Sequence, residues 1–139
     1  MREKVAAWEL DTVSQGMLRV WTRENQRLSP REMYLVAVVL ENGAFKKIDF
    51  AKANLSLAVL YDACFQDASL RQANLTNASL LQVDLRGADL SGIENFEGSS
   101  WQNSNWWDAR NAPPRLIAYL QSKYPRESQN FQPRCMGEN

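Results

Sequence analysis

Asp84 and Asp89 lie five residues apart on either side of Arg86, the closest approach in this sequence to a carboxylate pair for general acid and base work. Such a pair works only where a pocket holds one carboxyl protonated while the other stays ionised. No concave pocket is implied around these two, and Asp at such positions is more often a turn residue. There is no histidine, which removes the commonest general base and the commonest zinc ligand together. Cys64 and Cys135 form no paired-cysteine motif, and they read as free thiols in a reducing compartment. A phosphate-binding glycine loop, HExxH and GxSxG are all missing. The chain is therefore expected not to be an enzyme and to need no cofactor or metal.

The elements that would position any functional residue are set by a period of five. From 43 to 90, Leu or Phe returns without a miss: Phe45, Phe50, Leu55, Leu60, Phe65, Leu70, Leu75, Leu80, Leu85 and Leu90. Two residues before each stands a smaller set: Gly43, Ile48, Ala53, Ala58, Ala63, Ala68, Ala73, Ala78, Val83 and Ala88. On an α-helix this period would scatter the large residues around the surface. On an unbroken strand it would put half of them in water. The chain must turn once per repeat, so that the large residue (position i) and the small one (i−2) both point inward. One bulky and one small residue per repeat suit a narrow tube, because two bulky ones would overfill it. The outward i−1 set, with Asp49, Asn54, Ser69, Asn74, Ser79, Asp84 and Asp89, favours tight turns by bonding nearby backbone.

The units Ala53-Asn54-Leu55-Ser56-Leu57, Ala73-Asn74-Leu75-Thr76-Asn77 and Ala88-Asp89-Leu90-Ser91-Gly92 resemble the A(D/N)Lxx signature of the pentapeptide repeat family. The resemblance implies an all-β solenoid, a right-handed quadrilateral β-helix with four repeats per coil and coils stacked through backbone hydrogen bonds. It sets columns Phe45, Phe65, Leu85, then Phe50, Leu70, Leu90, then Leu55, Leu75, then Leu60, Leu80, in about three coils. After Leu90 the period slips by one: Phe96, Trp101 and Trp106 resume the step, with Glu94, Ser99 and Ser104 as inward partners.

Four segments follow. Residues 1–42 read as an N-terminal helical region and cap: an amphipathic helix from about 5 to 27, then a lid helix from 30 to 41. The lid rests on the capping box Ser29-Pro30-Arg31-Glu32 and the stop Asn42-Gly43. Residues 43–111 form the β-helix, regular to about 90. Residues 112–124 are a capping helix begun at Pro113-Pro114 and stopped by Pro125, and 125–139 read as a disordered tail. Sixteen basic and sixteen acidic residues cancel, which argues against nucleic acid and against an anionic membrane as direct partners. With no targeting segment or long apolar run evident, a cytoplasmic location is expected, whether or not the chain is part of a longer protein.

A protein partner then has two places to bind. Leu57, Val59, Tyr61 and Leu81 all point outward about the fourth face, and such a cluster usually has a partner, although the N-terminal helix could cover it instead. Trp101, Trp106 and Trp107 either plug the terminal coil or form an interface; the resemblance adds homodimerisation through the C-terminal end as an expectation. The leading function is a protein-interaction scaffold of unknown partner. One alternative comes with the resemblance: mimicry of duplex DNA to modulate DNA gyrase. From 43 to 111 eight acids and six bases leave −2, little for a polyanion mimic. The other is a structural spacer or membrane-associated module acting through the N-terminal amphipathic helix.

Overall fold

The computed structural model describes residues 31–135. Each five-residue unit closes a β-turn in which the i+3 amide donates to the carbonyl of i, as Ala58 does to Leu55 at 3.0 Å. Position i+2 then has positive φ, from Glu32 (63°) through Leu57 (61°) to Gly98 (75°), the type II pattern. The outward residue completes the corner. Side chains of Asp49, Asn54, Asn74, Asp84 and Asp89 each accept from the amide two residues on, at 2.8 to 3.3 Å.

Parallel bridges join residues twenty apart, Val39 to Val59 to Ser79 and Ala44 to Cys64 to Asp84, so four turns make one square coil. Every coil bonds the next: Leu55 donates to Asn74 (2.8 Å) and Leu57 to Thr76 (2.9 Å). The interior is the expected double file. Leu35, Leu40, Phe45, Phe50 and their successors to Leu90 are fully buried, with the alanines beside them.

There are four coils, 31–50, 51–70, 71–90 and 91–111, rather than about three. The extra one corrects the lid helix at 30–41. Leu35 and Leu40 are simply earlier members of the five-step series, with Val38 inward beside them, and Tyr34 and Val39 bridge to Asn54 and Val59. Glu32, the third residue of the expected helix, has φ of 63° and cannot belong to one. The amphipathic helix expected from about 5 to 27 lies outside the described residues.

Gly43 occupies an inward position where alanine is the rule. A Cβ there would collide with the ring of Phe45, which leans back into the space and meets Phe50 and Phe65 at 5.3 Å each. Gly and Phe thus replace Ala and Leu at nearly constant volume.

The slip after Leu90 is a one-residue bulge, and bridges become twenty-one apart, Asn74 to Asn95 and Asp89 to Arg110. Here another expectation is corrected. Ile93, not Glu94, fills the inward position, because the turn after Leu90 keeps its length and the extra residue is extruded beyond it.

The last coil is closed by α1, the α-helix Pro114–Lys123. Leu116 and Leu120 are buried on the stack. Tyr119 packs on Phe96 with centroids 5.0 Å apart, and its hydroxyl donates to the Ser99 carbonyl at 2.6 Å. Burial raises the Tyr119 phenol above its ordinary 10.0. Arg115 donates to the Glu94 carbonyl, and Trp106 Nε1 to the Tyr124 carbonyl at 2.7 Å. The Glu94 and Ser99 carbonyls, which a fifth coil would have taken, are thereby satisfied by side chains.

Candidate functional site

The sequence-predicted residues fall in two separate regions. Leu57 stands at the corner between the third and fourth faces, Val59 in the middle of the fourth face, and Tyr61 and Leu81 at the corner beyond. Leu57 is 53% exposed and Tyr61 37%, whereas Val59 and Leu81 are half-buried. Around them the outward residues are Val36, Ala37 and Val39 in the first coil and Thr76, Asn77 and Ser79 in the third. No charged residue occurs at 36–40, 56–60 or 76–80, so the face is uncharged through three coils, and through the first two Ser56 is its one polar residue.

Leu57 also shares the left-handed backbone of the regular corners. Its φ of 61° is the left-handed region, which costs an ordinary L-residue about 1–2 kcal/mol. The same corner holds Ala37 in the first coil, also at positive φ, and Asn77 and Gly98 in the third and fourth, the last two being residue types that accept this conformation readily.

The tryptophans sit at the other end. Trp101 is wholly buried, its Nε1 donating to the Ser99 hydroxyl at 2.7 Å, and that hydroxyl donates onward to the Phe96 carbonyl. Serine in place of the usual inward alanine is what lets an indole enter the tube without an orphaned N–H. Trp106 is nearly buried and stacks edge-on with Trp107 at 5.7 Å. Only Trp107 presents part of its ring outward, under Arg126 at 5.3 Å, beside a shallow groove lined also by Ile117 and Gln121.

The Asp84 and Asp89 carboxylates are both engaged in hydrogen bonds within the fold. Asp84, 1% exposed, bonds Arg86 N, Asn105 Nδ2 at 3.0 Å and Arg134 N at 3.2 Å. Burial works to raise the Asp89 carboxyl. The amide and hydroxyl of Ser91, the amide of Asn111 and the charge of Arg110 outweigh it and hold that carboxyl below its ordinary 3.8.

Sequence reasoning missed the C-terminal segment. The tail expected to be disordered from 125 is docked as far as 135, and the cysteines expected to be free are joined, Cys64 to Cys135. Asn103 and Asn130 anchor it: Asn103 N donates to Gln129 Oε1 and Asn130 N to Asn103 Oδ1. An even cysteine count was the only signal available, and spacing could not pair residues 71 apart. Among the described residues no group of His, Cys, Asp or Glu could hold a metal ion, and no helix is long and apolar enough to cross a membrane.

Comparison with known proteins agrees with the repeat. A family model, pentapeptide repeats, matches in eight copies over residues 34–72 and 53–92. A pentapeptide repeat protein from the Arabidopsis thaliana thylakoid lumen is similar, with 26% identity, 66% of this chain and 77% of that chain covered, and a TM-score of 0.52. Rfr23 of the cyanobacterium Cyanothece 51142 aligns at 26% identity over 55% of this chain and 63% of its own, with a TM-score of 0.29. QnrB1, a plasmid-mediated fluoroquinolone resistance protein, aligns at 23% identity over 56% and 48%, with a TM-score of 0.24. No curated protein matches the chain by sequence.

Proposed function

Because this chain belongs to the pentapeptide repeat family, whose members form right-handed quadrilateral β-helices, we propose that it is a non-enzymatic scaffold that binds a protein partner on its fourth face. The observation that carries this reading is Leu57. It combines a half-exposed apolar side chain with a disfavoured backbone conformation, at a corner where the next coils use Asn and Gly. The positive φ is the turn geometry of the fold, shared with Ala37, Lys47 and Gln72, so the exposed apolar side chain is the feature that argues for a covering partner. Tyr61, with its apolar ring and polar tip, is of the type enriched at binding hot spots.

The test is a paired measurement on Leu57→Asn. Stability in urea should rise by about 1 kcal/mol, since asparagine accepts the left-handed region. Capture of a partner from lysate should fall, as it should for Tyr61→Lys. A discrete partner retained by both variants would refute the reading.

Gyrase modulation by DNA mimicry draws no comparable support. The outward column of the second face runs Asp49, Ser69, Asp89, Arg110, and acids do not line up as phosphates do. The N-terminal module reading concerns residues outside those described. A disulfide persists in oxidising compartments, and Cys64–Cys135 therefore supports a location of that kind over the cytoplasmic one expected from free thiols.

A further inference from the structure

Beyond α1 the chain descends the corner between the fourth and first faces. Asn103 of the fourth coil exchanges bonds with Gln129 (2.7 Å) and Asn130 (2.8 Å). Lower down, Arg134 inserts among groups from two coils. Its Nη2 donates to Gln82 Oε1 at 2.9 Å, its Nε lies 2.9 Å from Asp62 Oδ1, and its backbone N donates to Asp84 Oδ2 at 3.2 Å. One residue later Cys135 is joined to Cys64 in the middle of the first face.

These attachments differ in kind. Hydrogen bonds of this sort contribute little net stability, because water competes for the same groups. The Arg134–Asp62 pair keeps about a quarter of each side chain exposed, at 24% and 22%, and is screened by salt. The disulfide is thus the fastening that does not exchange with solvent. Under the strap lies an already shaped arginine site: the Asp62 carboxylate, the Gln82 side chain and carbonyl, and the nearly inaccessible Asp84.

We propose that residues 129–135 are a thiol-released strap over an arginine-binding site on the corner of the first face. In the oxidised chain Arg134 occupies the site; in the reduced chain the strap lifts and the site accepts an extended, arginine-bearing segment of a partner protein. The exchange needs a dithiol reductant. Its thiolate attacks Sγ of Cys135, the more accessible cysteine, forming a mixed disulfide while the S–S bond breaks and Cys64 leaves as a thiolate. The reductant's second thiol then displaces Cys135. Two electrons and two protons pass to the cysteine pair, and the reductant ends as its own disulfide. This site borders the fourth-face patch, since Asp62 and Gln82 follow Tyr61 and Leu81 in sequence, but none of its bonds uses Leu57, and the arginine dependence of peptide binding tests it independently of that patch.

Hydrogen exchange on the full chain, with and without dithiothreitol, tests the strap, and Cys135→Ser without reductant repeats the reduced state. The amides of Asn130 and Arg134 should exchange about tenfold faster or more on reduction, with the coil amides unchanged. A labelled peptide copying 129–135, with serine at the cysteine, should bind the reduced chain alone, and binding should be lost when its arginine is alanine. Unchanged strap exchange would overturn the proposal. So would faster exchange throughout the coils, which would make the disulfide a general staple, and so would peptide binding indifferent to the arginine.

Discussion

Gly43 and Phe45 show how a single repeat departs from its pattern while keeping its volume. The Phe45 ring fills the volume a methyl at 43 would need. Gly43→Ala should therefore cost about 1–3 kcal/mol by overpacking. Adding Phe45→Leu, which restores the Ala and Leu pairing of the neighbouring units, should recover most of it; urea unfolding of the singles and the double gives the coupling. Asp89 makes a prediction in pH. Its folded pKa is depressed below 3.8, so its contribution is complete above the unfolded value and is lost as pH falls through the folded one. Unfolding midpoints should decline below about pH 4, and Asp89→Asn should flatten that decline.

The coil is the element, and its weak point is where the repeat slips. At the first face, where the third coil should bond the carbonyl of residue 105, Leu85 N donates to the Asn105 side chain at 2.6 Å instead. A side chain has replaced a backbone acceptor because the chain tightens there into a 3₁₀ turn, Trp106–Asp108. Asn105→Ala would strand the buried Leu85 amide and should destabilise by about 1–3 kcal/mol. Hydrogen exchange should place the damage at Leu85 first. The fourth coil ends at the second face because Asn111, exposed and polar, takes the place due to a large apolar residue.

For the whole molecule the question is what stops the stack. At the C-terminal end α1 and the aromatic residues beneath it cover the last coil, and its carbonyls are taken by Arg115, Tyr119 and Trp106's neighbour Tyr124. Removing 113–139 would bare Phe96, Trp101 and the edge of the fourth coil together. That truncation should self-associate, read as a shift to larger species in size-exclusion chromatography with light scattering. A monodisperse truncated monomer would show that the end needs no cover.

The repeat and its interior were legible because they are local. One turn per five residues follows from neighbours in sequence, and the stepping of Leu and Phe fixes which side chains face inward. The first coil was legible by the same rule at Leu35 and Leu40, but an apolar run behind a capping box satisfies a helix locally, and only the pairing of Tyr34 and Val39 with the next coil decides against it. Ile93 turns inward in place of Glu94 for a similar reason, since a bulge shows its direction only against the coil below. The strap left no trace in the pattern. Arg134 meets Gln82 and Asp84 across about fifty residues, and Cys135 meets Cys64 across 71. Contacts at such separation depend on where α1 delivers the chain, which is a property of the assembled stack. The sequence by itself determined the coil and its filling; the tertiary structure alone decided which outward face is left open and which is covered.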